Sequence, residues 1–177
     1  ALRTLLAVGE GPRRQIGGIM LATTLIGMWV SNTATAIMML PIGQSVIDLV
    51  TRGAAAAERE RFAVALLLAI AYSASISGMT TLICTPPNAL LAAYLRANHD
   101  IGIGFGQWML VGMPVAVLML GFTWWWLTRR GFAIPAADST ALLRRQLAEM
   151  GPPSLQEKRV GAVFALTAAA WLCRPLL

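Results

Sequence analysis

Two apolar runs dominate the first hundred residues, and both are too long and too interrupted to be single membrane crossings. The first, Ile16 to Val50, is about 35 residues, against the roughly 20 that span a bilayer as a helix. Arg13 and Arg14 precede it, and Arg52, Arg59 and Arg61 follow it. Basic residues at both ends predict that both ends face the cytoplasm, which one crossing cannot satisfy and two full crossings have too few residues to achieve. The pattern therefore predicts a re-entrant hairpin over residues 16–50. Its two arms have about 15 residues each, rising roughly 22 Å, and the turn lies at mid-membrane depth. The polar triplet Ser31-Asn32-Thr33 falls at that turn.

The second run, Phe62 to Leu95, contains "SISGMTTLICTPPN". Pro86 and Pro87 cannot continue a helix from the preceding turn but suit the first turn of a new one. This predicts a broken transmembrane helix over 62–97: a helix to about Leu82, an irregular link, and a short helix from Pro86. "RANHDIGIGFG", with Arg96 alone, reads as an outer loop. A single crossing over 107–128 follows, Trp108 to Thr128, with Trp124, Trp125 and Trp126 as an interfacial belt. Arg129 and Arg130 mark the inner side. Residues 129–159 read as a cytoplasmic linker with a short amphipathic helix from Asp138 to Met150, and a further span starts in 160–177. Residues 1–15 are a cytoplasmic lead-in. Every basic cluster except Arg3, Arg96 and Arg174 falls on one side of this arrangement.

Composition agrees with a membrane chain. Hydrophobic residues make up 57% and charged residues only 12%, about half the share of a soluble domain. The net charge of +6 is explained by basic loops, and no basic face with base-reading side chains points to nucleic acid. The two cysteines, Cys84 and Cys173, lie in apolar surroundings without metal or redox spacing. The chain starts without Met and stops just after an apolar stretch, so it is expected to be an internal piece of a longer protein. The fold class expected is all-α integral membrane.

Irregular backbone at membrane depth persists only where protein buries it or where it lines a water-filled cavity, and paired broken helices point to the binding site of a secondary transporter. A helix beginning after Thr33 offers unbonded amides and a positive dipole end to an anion. The arm ending before Ser31 offers carbonyls to a bare cation. Neither tip carries Lys, Arg, Asp or Glu, whose fixed charge would be costly in an empty carrier. The plainer alternative is that Ser, Asn and Thr simply bond to neighbouring helices. It explains either motif alone but not both, on segments whose flanking charges demand breaks.

"MWVSNTATAIMMLPI" (Met28 to Ile42) and "AYSASISGMTTLICTPPNALLAAYL" (Ala71 to Leu95) resemble the divalent anion/sodium symporters, the dicarboxylate, citrate and sulfate carriers. Phe105, Trp108, Gly112 and Pro114 resemble the start of that family's next span. The resemblance covers roughly Ile16 to Thr128 and mainly the first of two inverted repeats. It implies a homodimeric, elevator-type carrier in a bacterial-type inner membrane, which transports small divalent anions such as succinate or malate with Na⁺ as coupling ion. By the same resemblance, Asn32, Thr33, Thr85 and Pro86 would contact substrate, and Ser31, Asn32, Gly27 and Cys84 would hold Na⁺, partly through backbone. Pro87 and Asn88 would support the link. This chain departs from the pattern at Gly27, where many members have Ser, and at Cys84, where Gly is usual, and both positions fall at the expected cation site.

Rival readings are an exchanger without Na⁺ coupling, and a sulfate, tricarboxylate or arsenite-type carrier of the same architecture. An enzyme would need a convergent acid, base or nucleophile, and the single histidine, His99, lies in the outer loop beside Asp100. The expected partners are thus a dicarboxylate, membrane lipid and a second copy of the chain, with no nucleic acid.

Overall fold

The computed structural model describes residues 11–134 and 155–173. Six helices form among them: α1 (Pro12–Gly27), α2 (Asn32–Val50), α3 (Ala56–Ser77), α4 (Pro86–His99), α5 (Phe105–Thr128) and α6 (Leu155–Cys173). The amphipathic helix expected at 138–150 lies outside the described residues.

α3 is the central element and packs against α1, α2 and α5. Ile16, Ile19 and Met20 of α1 and Phe62, Leu66, Ala69 and Ile70 of α3 recur at helical spacing on one face, and all are buried with Met39, Val46 and Ile47 of α2. Lipid tails are as apolar as these side chains, so close van der Waals fit has to hold such helices together. Glycines provide the fit. A Cβ on Gly43 would stand 2.6 Å from Ile70 Cδ1, and one on Gly17 would stand 3.0 Å from the Trp124 indole nitrogen.

The five-residue connection from Thr51 to Ala55 turns through Gly53 (φ 75°), which makes α2 and α3 antiparallel neighbours. Arg59 bonds Asp48 across it at 2.7 Å. The Trp124 indole donates to the Arg13 carbonyl at 3.0 Å, and the Ala133 amide donates to Glu58 at 3.1 Å. The start of α1, the α2–α3 connection and the end of α5 therefore share one end of the bundle, together with most of its arginines. The gap between α1 and α2 lies away from that end.

Among the described residues, three helices are long and apolar enough to cross a membrane: Asn32–Val50, Ala56–Ser77 and Phe105–Thr128. α5 buries only Phe105, Ala116 and Thr128, which leaves a nearly all-round apolar surface suited to lipid or to further protein.

Several boundaries differ from expectation. The first gap is Met28 to Ser31, so the triplet is not centred on the turn: Ser31 caps α2, and Asn32 and Thr33 open it. The cap forms because the Ser31 hydroxyl accepts the Ala34 amide, at 3.4 Å. The arms have 16 and 19 residues rather than about 15. α3 begins at Ala56, because "AAERER" carries the helix beyond the apolar run with Glu58 in its first turn.

α3 also stops at Ser77 instead of near Leu82. There Met79 and Thr80 amides bond Ile76 and Ser77 carbonyls, an i→i+3 tightening that ends the α pattern. The Thr80 hydroxyl takes the Ser77 carbonyl at 2.6 Å. α1, α5 and α6 start at Pro12, Phe105 and Leu155, a few residues before the apolar runs that announced them.

Candidate functional site

The two gaps in the helical pattern meet in space. α1 ends at Gly27, which leaves its last carbonyls without intrahelical donors. Two of them are met from the second gap: the Thr81 hydroxyl donates to the Met28 carbonyl at 2.9 Å, and the Cys84 thiol to the Gly27 carbonyl at 3.3 Å. Thr81 Oγ1 and Cys84 Sγ are themselves 2.9 Å apart. The two bonds to carbonyls join residues more than fifty positions apart in sequence, and all four residues are buried.

The second gap, Gly78 to Thr85, is held from α4. Asn88 in the first turn of α4 donates through Nδ2 to the carbonyls of Gly78 and Thr81, both at 2.8 Å. One amide group thus satisfies two carbonyls that irregular backbone would otherwise leave open. From the far side the Trp108 indole of α5 donates to the Met79 carbonyl at 2.9 Å. Gly112 lets α5 approach this closely, since a Cβ there would lie 2.7 Å from the Met79 carbonyl oxygen.

Asn32 stands at the junction. Its side chain lies against Gly78, where a Cβ would come within 2.5 Å of Asn32 Oδ1 and 3.0 Å of Thr85 Cγ2. Asn32 Oδ1 is buried and has no hydrogen-bond partner. A buried amide oxygen left unpaired costs on the order of 1–3 kcal/mol, so this acceptor is suited to a donor or cation from outside the chain. Asn32 and Thr33 amides begin α2 and have no intrahelical acceptor. The α4 end is poorer in donors than its position suggests: Pro86 and Pro87 have no N–H, and the Asn88 amide is taken by the Thr85 carbonyl at 3.2 Å.

Of the residues expected at the site, Gly27, Asn32, Cys84 and Thr85 converge, and Asn88 braces the link. Ser31, Thr33, Pro86 and Pro87 are exposed. Ser31 spends its hydroxyl on the cap. Thr85 and Pro86 line a cavity of about 600 Å³ with Arg96 and Phe105.

The oxygens at the junction are of a kind that Na⁺ accepts. Asn32 Oδ1 is open, and the Gly27 and Met28 carbonyls each keep a second lone pair. Such neutral oxygens suit a hard monovalent ion, and among the described residues no group of three or more His, Cys, Asp or Glu could hold a metal. The sequence assigns no site role to Thr81, Gly78 or Trp108. Thr81 lies in a run of hydroxyls with nothing local to distinguish it, while Gly78 and Trp108 matter only through a neighbour from another helix.

At the Gly27 position Ser77 occupies the space that a side chain would need. A Cβ there would collide with the Ser77 hydroxyl and approach Thr35 Cγ2 to 3.3 Å. The hydroxyl that fills this space reaches across from α3.

Among the described residues the fold is all-helical, with three helices apolar enough to cross a membrane and two interruptions joined at a buried polar junction, an arrangement that fits the membrane carriers as a class. A sequence model of the citrate transporter family matches residues 1–177. The chain is also similar to the sodium-dependent dicarboxylate transporter SdcS of Staphylococcus aureus strain USA300, 33% identical over 186 residues, which cover 100% of this chain and 35% of that protein. The SdcS proteins of strains COL and MRSA252 match with the same identity and coverage. The chain belongs to the citrate transporter family, a family of transporters and not of enzymes. It spans 35% of the length of these curated relatives.

Proposed function

We propose that the protein carrying this chain is a secondary active transporter of small divalent anions, C4-dicarboxylates such as succinate or malate, coupled to Na⁺. The observation that carries the reading is the junction itself: an unpartnered, buried Asn32 Oδ1 beside the opening amides of α2, braced by Thr81, Cys84 and Asn88. In this reading the Asn32 and Thr33 amides and the Thr85 and Pro86 edge receive a substrate carboxylate, favoured by the positive end of α2. Asn32 Oδ1 and the Gly27 and Met28 carbonyls, with Ser31 and the Cys84 backbone at the margin, hold Na⁺. Bound Na⁺ supplies the positive charge that balances a carboxylate without a fixed arginine in the empty site. α1 and α2 act as a re-entrant hairpin. The carrier is a homodimer in a bacterial inner membrane, and the braced junction moves as one body in an elevator step.

The names of the relatives support the dicarboxylate and sodium parts of this reading, and the family name keeps tricarboxylates as the neighbouring substrate class. A second reading, exchange without Na⁺, is favoured by one observation: Cys84 and Thr81 already cap the two carbonyls nearest the cation position.

Uptake of labelled succinate into proteoliposomes separates the two. The protein is tested under an inward Na⁺ gradient, in choline, and with unlabelled succinate preloaded. Na⁺-dependent uptake that Asn32→Ala abolishes is the expected result. Uptake that occurs only by exchange and ignores Na⁺ overturns the coupling. No uptake in any condition by folded protein overturns the substrate and leaves sulfate and tricarboxylates.

A further inference from the structure

A second candidate site lies on the opposite flank of α3 from the α1–α2 arms, along its seam with α5. At the arginine-rich end, Arg61, Arg129 and Arg130 line a cavity of about 660 Å³ together with Val64, Leu68 and Trp126. Further along the same seam is a second cavity, of about 700 Å³, lined by Tyr72, Ile76, Met119 and Phe122. Trp126 and Leu127 belong to both. The two are therefore one groove with a basic mouth and an apolar length.

We propose that this groove binds an anionic phospholipid, with its phosphate at Arg129, Arg130 and Arg61 and one acyl chain along Val64, Leu68 and Tyr72. Charge complementarity decides the mouth. Neither Arg129 nor Arg130 forms an ion pair among the described residues. Arg129 is held in place by its guanidinium lying 3.6 Å above the Trp126 ring. Arg61 bonds Glu58 at 2.6 Å but has other N–H donors to offer. Glu60 at the rim opposes an anion. Ala57, in the first turn of α3, lines the same cavity, so the positive end of that helix adds to the arginines.

Dimensions decide the length. Half of a hydrocarbon core of about 30 Å is about 15 Å, or ten residues of helix, the distance from Val64 to Ala74. Val64, Leu68 and Tyr72 are 52%, 40% and 49% exposed along that stretch, an apolar track that a soluble phosphate compound would leave unused. A tryptophan at the mouth stands where headgroup and acyl chain meet.

Native mass spectrometry on the natural full-length protein, in mild detergent with equimolar phosphatidylglycerol and phosphatidylcholine, tests the proposal. Wild type should retain phosphatidylglycerol by roughly tenfold or more, the scale expected of two arginines at an anionic surface. The R129A/R130A variant should lose that preference while keeping its phosphatidylcholine. The L68W/S75W variant, which fills the seam at one lining position of each cavity, should retain less of both lipids. Excess glycerol phosphate should displace neither. Equal retention by wild type, a preference that survives R129A/R130A, undiminished retention by L68W/S75W, or displacement by glycerol phosphate each overturns the proposal. So does the absence of any retained lipid on monodisperse protein, which would mean that protein covers the groove.

Discussion

Gly27 and Ser77 form an interlocked pair. The Ser77 hydroxyl bonds its own Ala74 carbonyl at 2.8 Å while occupying the space a side chain on residue 27 would need. Gly27→Ala forces Ser77 to rotate and give up that bond, with an expected loss of about 1–2 kcal/mol. Ser77→Ala in the same background should recover much of it. Thermal unfolding of the four combinations in detergent measures the coupling, and strictly additive losses would show that the two residues do not compete for one space.

Thr81 and Asn88 act differently, by satisfying carbonyls. Thr81→Val keeps the shape and removes the donor to Met28, at an expected cost of about 1–3 kcal/mol. Asn88→Asp should cost more, since a carboxylate would face two carbonyls it cannot donate to. The same unfolding assay ranks the two, and an Asn88→Asp protein as stable as wild type would remove Asn88 from its bracing role.

At the scale of elements, the interrupted helix α3–α4 depends on α5. Irregular backbone from Gly78 to Thr85 has few internal bonds, and α5 supplies contact from outside through Trp108 and Gly112. Gly112→Ala places a methyl against backbone atoms of Met79 and Thr80, which cannot rotate aside as a side chain can. The expected result is a loss of about 1–3 kcal/mol together with lower uptake, because the Asn32–Gly78 contact moves with the link. Trp108→Phe keeps the packing and loses one hydrogen bond, about 1 kcal/mol. If uptake and stability in Gly112→Ala matched wild type, the approach of α5 would not hold the junction.

Over the whole molecule, the contacts of Trp124 with Arg13 and of Glu58 with Ala133 gather three chain segments at one end. Counted along α5, Gly112 lies sixteen residues or about 24 Å from Thr128, which puts the junction well away from that end. Single cysteines at Ala57 and Gly131, in a background without the native cysteines, should react with a membrane-impermeant maleimide from the cytoplasmic side only. One at Asn98 should react from the other side only. Labelling of all three from one side would refute the sidedness inferred from the arginines. The Asp48–Arg59 pair at the arginine-rich end is 64% and 58% exposed, so Asp48→Asn should change stability by less than about 1 kcal/mol.

Much of this was legible in the sequence because it depends on local chemistry. Apolar run length against bilayer thickness predicted that both runs are interrupted, and Pro86 with Pro87 marked where the second helix starts again. Flanking arginines indicated which segments end together. Helix ends were less legible, since they depend on which polar group takes the last amides and carbonyls: Ser31 moved one boundary, and the Ser77–Thr80 turn another.

Only the tertiary structure decided the junction. That Thr81 caps Met28, that Cys84 takes the Gly27 carbonyl, and that Gly78 makes room for Asn32 are facts about residues more than forty positions apart. A sequence records each residue's donors, acceptors and volume. Which of them meet depends on how closely the helices approach, and here that is set by glycines at the contacts between helices.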